Sequence, residues 1–206
     1  MERKPDYHVG SKTASDCQGH APDSKGNEEI SIQLRAIEEE DLRILAYWRN
    51  QASIRECCRE YRLLNIVNQR DWYEKMSRDR ATEMFVIVTR SVTSGGDMGI
   101  GVCGLTNINW KDRHAEVSIY IGTEDYLGKG YGTLALERLS EIAFGEYGLH
   151  RLYAEIYDFN GPSMYLFSKC GYKQEGTMRD AVWGRGMWWD SHIYGLLAGE
   201  WDGTIH

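Results

Sequence analysis

Apolar residues alternate with polar ones in some stretches of the chain and recur at helical spacing in others, and each change of period marks an element. Ile30-Ser31-Ile32-Gln33-Leu34 has period two and predicts a first strand. Glu38-Glu39-Glu40-Asp41 then places acids where a helix N-terminus favours them, and Leu42, Leu45, Ala46 and Arg49 follow at helical spacing. Asn68-Gln69-Arg70-Asp71 reads as the capped start of a second helix through Met76. Met84 to Thr89, a turn at Ser94-Gly95-Gly96-Asp97, and Ile100 to Asn109 predict a hairpin, and His114 to Ile121 adds a third strand to it. A helical pattern from Thr133 to Tyr147, a strand carrying Leu152, Ala154 and Ile156, a short helix over Gly161 to Cys170, a strand from Tyr172 and a last strand from Trp188 to Leu197 complete the series. The order predicts a mixed α/β (α+β) fold built on one mostly antiparallel sheet flanked by helices, not a repeating βαβ barrel.

Composition changes this picture mainly by exclusion. At 206 residues, 42% apolar and 27% charged, the chain suits one domain over residues 30–206, and no apolar run is long enough for a membrane span. Residues 1–29 carry two of the three prolines and almost no aliphatic side chains, so they are expected to form a flexible tail. No signal-peptide pattern is visible, and a net charge of −7 argues against a nucleic-acid surface and suits a cationic substrate. Five cysteines without a C-x-x-C pair and six scattered histidines predict reduced thiols, a cytoplasmic location and no metal. The acidic run at Glu38 and the arginines of residues 51–67, among them Arg55, Arg59 and Arg62, read as solvated surface or as the lining of a cleft.

Between the strand ending at Gly122 and the helix near Thr133 lies Tyr126-Leu127-Gly128-Lys129-Gly130-Tyr131-Gly132-Thr133. Glycine at every second position, where a strand passes to a helix, leaves backbone N–H groups open beside the positive end of a helix dipole. That predicts an anion site suited to phosphate, against the plain alternative of a turn. The spacing matches neither a Walker loop nor the G-x-G-x-x-G dinucleotide fingerprint.

The Gly-Lys-Gly-Tyr-Gly core resembles the pyrophosphate loop of the GNAT superfamily of acetyl-CoA-dependent N-acetyltransferases, whose pattern is Arg/Gln-x-x-Gly-x-Gly/Ala. Gly130 and Gly132 match, and Leu127 holds the Arg/Gln position. Asn160 to Tyr172 looks like the second signature of that family: an asparagine, a small residue three on (Ser163), an aromatic seven on (Phe167), then Lys169-x-Gly171-Tyr172. Tyr47-Trp48-Arg49-Asn50 and the C-terminal segment from Lys173 to Leu197 are similar to the RimJ/RimL-like branch, the ribosomal-protein-alanine acetyltransferases.

This resemblance, which spans roughly Ile30 to Trp201, implies a sheet whose central strands splay to admit acetyl-CoA. Backbone groups of Tyr120, Ile121 and Gly122 would pair with the pantetheine arm. Amides of Gly128, Lys129, Gly130, Tyr131, Gly132 and Thr133 would hold the pyrophosphate, with Leu127, Asn160 and Phe167 completing the cofactor-binding set. Glu116, on the strand feeding the loop, is the implied general base for a primary amine, against the plain alternative of an exposed strand carboxylate. Many members carry tyrosine where Phe167 stands, so the acid that protonates the leaving thiolate is open among Ser163, Tyr165 and solvent, with Ser163 favoured. Direct attack needs no covalent enzyme intermediate. A protein N-terminus, a polyamine, an aminoglycoside and an amino sugar all remain as acceptors. A homodimer through the tryptophan-rich C-terminal segment, a non-catalytic acyl-CoA-binding module and a nucleotide-binding regulator remain as alternatives.

Overall fold

The computed structural model describes residues 30–90 and 95–203. In chain order the elements are β1 (Gln33–Ala36), a 3-10 turn (Glu39–Asp41), α1 (Leu42–Asn50), α2 (Ala52–Arg55), α3 (Ile66–Met76), β2 (Glu83–Arg90), β3 (Asp97–Asn109), β4 (His114–Ile121), α4 (Tyr131–Glu141), β5 (Arg151–Tyr157), α5 (Gly161–Lys169), β6 (Lys173–Gly184) and β7 (Met187–Leu197). The strands form one sheet in the order β1-β2-β3-β4-β5-β7-β6, antiparallel except for the β4–β5 pair. The tail expected over residues 1–29 and part of the expected β2–β3 turn lie outside the described residues.

Period-two alternation sorts side chains to the two faces of this sheet. On β2, Phe85 and Ile87 join one core with Leu105 of β3, Ala115 and Val117 of β4, and Leu136 and Leu139 of α4. Val86 and Val88, on the opposite face, pack with Val102 and with Leu42, Leu45 and Trp48 of α1. Each fully buried aliphatic side chain contributes roughly 1.5–3 kcal/mol, so the two faces hold α4 and α1 firmly against a common sheet.

Three boundaries differ from expectation for identifiable reasons. β1 starts at Gln33 rather than Ile30 because its ladder with β2 begins at the Gln33–Val88 pair. Beyond that point Ser31 is tethered by its carbonyl, which accepts from Thr89 Oγ1 at 2.8 Å. α3 is capped by Asn65, not by Asn68: Asn65 Oδ1 accepts from Val67 N and Asn68 N, while Asn68 Oδ1 accepts from Asn65 N. Asn68 is thus the third helical residue of a reciprocal capping box. α4 begins two residues before Thr133, at Tyr131, and runs into a π-helical turn over Ile142–Glu146.

Candidate active site

β4 and β5 pair in parallel only at His114–Arg151, Ala115–Leu152 and Glu116–Tyr153. β4 continues to Ile121 and β5 to Tyr157, but among the described residues no strand fills the space between them. The β5-facing backbone of residues 117–121 is left as an unpaired edge inside the molecule. A cleft of about 740 Å³ opens there, a volume typical of small-molecule sites. It runs past the loop before α4, the start of α5 and the segment after α1.

The glycine loop forms the outer end of this cleft. Gly128 (φ +69°) and Gly130 (φ +92°) occupy left-handed backbone conformations that side-chain-bearing residues rarely adopt, and Gly130 is the N-cap of α4. No side chain caps the helix. Its first bond within the helix is donated by Leu134 N to the Gly130 carbonyl, so the amides of Tyr131, Gly132 and Thr133 are free to receive an anion. Gly128, Gly130, Gly132 and Thr133 line the cleft together with the exposed Leu127. Lys129 and Tyr131 do not: Tyr131 packs edge-on against Tyr126 with ring centres 4.9 Å apart, bracing the loop from behind.

Tyr120 and Ile121 line the cleft as well, but Gly122 does not. A Cβ built on Gly122 would fall 2.2 Å from Cγ and Cδ2 of Trp48, so this glycine admits the indole of α1 against the end of β4. Arg49, the next residue, sits over the Tyr120 ring at 6.0 Å and donates from Nη1 to Cys58 Sγ at 2.7 Å.

At the other wall, Asn160 caps α5 by accepting from Ser163 N at 3.3 Å. Asn160, Ser163, Tyr165 and Phe167 all line the cleft. Tyr165 is 72% exposed at the rim, whereas Phe167 is buried, its ring edge-on to Tyr172 at 4.9 Å. The two side chains point in different directions, as their spacing predicts.

The apex, where β4 and β5 part, is acidic. Ala115 and Val117 pack into the α4-side core, so Glu116 between them projects to the opposite face, and Glu155 on β5 does likewise between Ala154 and Ile156. Glu116 is buried; its Oε2 accepts from Asn107 Nδ2 at 2.8 Å and from Arg59 Nη1 at 3.1 Å, and its Oε1 pairs with Arg59 Nη2. Arg59 Nη2 also reaches Glu155 Oε2 at 3.2 Å, and Glu155 Oε1 accepts from Ser191 Oγ at 2.8 Å. The hydrogen bond to Glu116 holds the Arg59 guanidinium still more firmly protonated than usual. Asn107 adopts a left-handed φ of 51° at the β3–β4 bulge, which aims its amide at Glu116.

Sequence reasoning placed Arg59 only among surface or cleft-lining arginines and did not single out Asn107 or Glu155. The alternation of Leu152, Ala154 and Ile156 puts Glu155 on the face shared with Glu116, so a signal for that residue existed. Nothing local marks Asn107.

Cys57 and Cys58 also line the cleft, but burial pushes both thiols above their usual range, away from the thiolate a covalent route would need. Among the described residues, no three His, Cys, Asp or Glu side chains converge as a metal site. The four described cysteines are free thiols, and no described helix is long and apolar enough to cross a membrane.

An uncapped helix N-terminus, an unpaired strand edge and an acidic apex joined by one cleft define a site that can hold an acyl-CoA and present its thioester to an amine. Residues 31–173 match the Acetyltransferase (GNAT) domain family, and the chain belongs to that family. It is 31% identical over 148 residues to the spermidine N(1)-acetyltransferase of Escherichia coli K12, covering 72% of this chain and 76% of that protein. It is 34% identical over 103 residues to the putative ribosomal N-acetyltransferase YdaF of Bacillus subtilis, covering 50% and 56%. Its structure superimposes on spermidine N-acetyltransferase from Vibrio cholerae in complex with CoA and spermine, with a TM-score of 0.73 and 25% identity over 82% of this chain and 96% of that one. Another structure of that Vibrio enzyme is dodecameric. The protein is an acetyl-CoA-dependent N-acetyltransferase, with acetyl-CoA as co-substrate.

Proposed function

We propose that the protein transfers the acetyl group directly to a primary amine of a small polycation of the polyamine class. The carboxylate pair Glu116 and Glu155 at the apex of the β4–β5 gap carries this reading, because an acceptor nitrogen has to stand there to meet a thioester lying in the gap. The spermidine acetyltransferases among the relatives support the same acceptor class. A protein N-terminus, the acceptor of a RimJ/RimL-like enzyme, draws support from the YdaF likeness, which spans only half of the chain.

The amides of Tyr131, Gly132 and Thr133 would receive the pyrophosphate, with Gly128 and Gly130 giving the loop its turn and Lys129 adding charge from outside the cleft. The open edge of β4 at Tyr120 and Ile121 would pair with the pantetheine, and Asn160, Leu127 and Phe167 complete the walls; Gly122 serves through Trp48. Bound in this way, acetyl-CoA supplies an activated acetyl thioester. Glu116 accepts a proton from the acceptor ammonium, directly or through one water, and so frees the nitrogen lone pair. The nitrogen attacks the carbonyl carbon and the C–N bond forms as the C–S bond breaks; the acylated nitrogen gives up its second proton to Ser163 or water, which returns a proton to the leaving sulfur. Tyr165, exposed at the rim, is the second candidate for that proton. The high thiol pKa values of Cys57 and Cys58 favour this direct route over an acyl-enzyme.

Release of coenzyme A thiol, measured with spermidine, an aminoglycoside, an amino sugar and a peptide with a free N-terminal alanine, tests the acceptor class. Spermidine is expected to give the highest kcat/KM; a peptide or aminoglycoside that outperforms it tenfold overturns the assignment. We further place the enzyme in the cytoplasm, where acetyl-CoA and reduced thiols coexist. We also propose that the protein self-associates as a homodimer through the exposed ribbon of Trp183, Met187 and Trp188 on the β6–β7 hairpin.

A further inference from the structure

Glu116 and Glu155 share one partner, and that partner comes from a part of the chain remote from both. Arg59 binds Glu116 with both terminal nitrogens and Glu155 with one, bridging β4 and β5 immediately beyond their last pair, Glu116–Tyr153. Residues 56–65, which carry it, form no helix or strand. Its two ends are tied down, by backbone bonds from Glu56, Cys57 and Cys58 to the turn of α2, by Arg185 Nε to Glu56 at 3.0 Å and Arg49 to Cys58, and at the far end by the Asn50 side chain on the backbone of Leu64 and the Asn65 cap of α3. Between them, the side chains of residues 59–63 make the contacts of Arg59 and a local Arg62–Glu60 pair. The Arg59 side chain is 57% exposed, whereas that of Glu116 is 8% exposed. The guanidinium therefore enters the acidic apex from solvent, as a substrate does, and presents to the carboxylates the charge and N–H donors of a protonated amine.

We propose that Arg59 is an internal competitor for the acceptor: it occupies the cation subsite formed by Glu116 and Glu155, and the acceptor ammonium displaces it to reach Glu116. This rests on Glu116 and Glu155 facing the acceptor, as argued above. Displacement leaves two carboxylates around the incoming group, so the site selects cations able to replace a guanidinium and gives little to neutral amines. It also has a protective consequence. While no acceptor is bound, Arg59 keeps Glu116 from deprotonating water beside the thioester. That side reaction would convert acetyl-CoA and water to acetate, free coenzyme A thiol and a proton.

The test uses the full chain with Arg59→Gln and Arg59→Ala. Acetyl-CoA affinity by titration calorimetry stays at the wild-type value in both, which reports an intact fold and donor site. Thiol release without any amine rises several-fold over wild type, and KM for the best amine falls about three- to tenfold, the change that a partly exposed competing charge pair supports. Millimolar guanidinium chloride then inhibits Arg59→Ala competitively with the amine and suppresses its hydrolysis of acetyl-CoA. The proposal is overturned if amine-independent thiol release is unchanged, or if KM rises and kcat falls with guanidinium restoring kcat; in the latter case Arg59 is a positioning residue for Glu116. If wild type turns over none of the polyamines, the assigned acceptor class fails, while the amine-free hydrolysis and its suppression by guanidinium still decide the role of Arg59.

Discussion

Gly122→Ala separates packing from ligand binding at the end of β4. A methyl group there would lie 2.2 Å from Cγ and Cδ2 of Trp48 and 2.5 Å from Cε2, against a relaxed carbon–carbon separation of about 3.5 Å or more. Trp48 cannot swing aside, because it is 2% exposed among Leu42, Leu45, Val86, Val88 and Val102, with Tyr120 edge-on at 6.5 Å. Overpacking a tight core costs roughly 1–3 kcal/mol, and a shortfall of more than an ångström across three ring atoms places this variant near the upper figure. Urea unfolding reads the loss as a lower midpoint at an unchanged slope. Trp48→Leu alone costs about 2–4 kcal/mol by truncation, but it removes the ring that the methyl meets. Adding Gly122→Ala to it is therefore expected to cost at least about 1 kcal/mol less than in wild type. Because Gly122 faces Trp48 rather than the cleft, acetyl-CoA affinity should stay within about threefold of wild type. A Gly122→Ala protein within about 0.5 kcal/mol of wild type, or one whose cost simply adds to that of Trp48→Leu, refutes the reasoning.

Gly130→Ala should give the reverse pattern: its Cβ would meet nothing closer than Ile30 Cδ1 at 3.9 Å, so stability falls only by the roughly 1–2 kcal/mol of a left-handed alanine, while acetyl-CoA binding by calorimetry weakens by about tenfold or more. Asp41, whose carboxyl is held below its usual 3.8 by the Arg35 side chain, stabilises the fold above that pH and loses the contribution as pH falls through its lower folded value. Asp41→Asn is thus expected to cost about 1 kcal/mol near neutral pH, with the gap to wild type in thermal melting closing below pH 3.8; a gap that persists into strong acid contradicts the ion pair. Replacing Trp183 and Trp188 together by serine should reduce the mass seen by light scattering without lowering the melting temperature of the subunit, and an unchanged mass removes the β6–β7 ribbon as the contact surface.

The strands were legible because one face of each is buried and period two survives almost untouched, as in Phe85 to Val88 and Leu152 to Ile156. The glycine loop was legible because its conformation is a local property: Gly128 and Gly130 adopt backbone angles that other residues disfavour. The cap of α3 was misplaced because Asn65 and Asn68 are chemically alike and only their reciprocal bonds tell them apart. The sequence position of Gly122 suggests a backbone role beside the cofactor; that its missing Cβ makes room for Trp48 was not legible, because the indole comes from a helix far away in the chain. The acidic apex was only half visible for the same reason. Glu116 carries a recognisable position, but its meeting with Arg59, Asn107 and Glu155 depends on one unpaired segment, one bulge and a parallel strand pair that no local pattern encodes.

The most direct measurement is the kcat/KM of the best amine for wild type and Glu116→Gln, with acetyl-CoA affinity measured on the same preparations. Glutamine keeps the shape of the side chain and removes its capacity to take a proton. A fall of about 10²–10⁴-fold in kcat/KM, with acetyl-CoA binding unchanged, is the result expected if the amine is deprotonated by Glu116 at the apex of the β4–β5 gap. Turnover equal to that of wild type contradicts it and moves the chemistry away from Glu116.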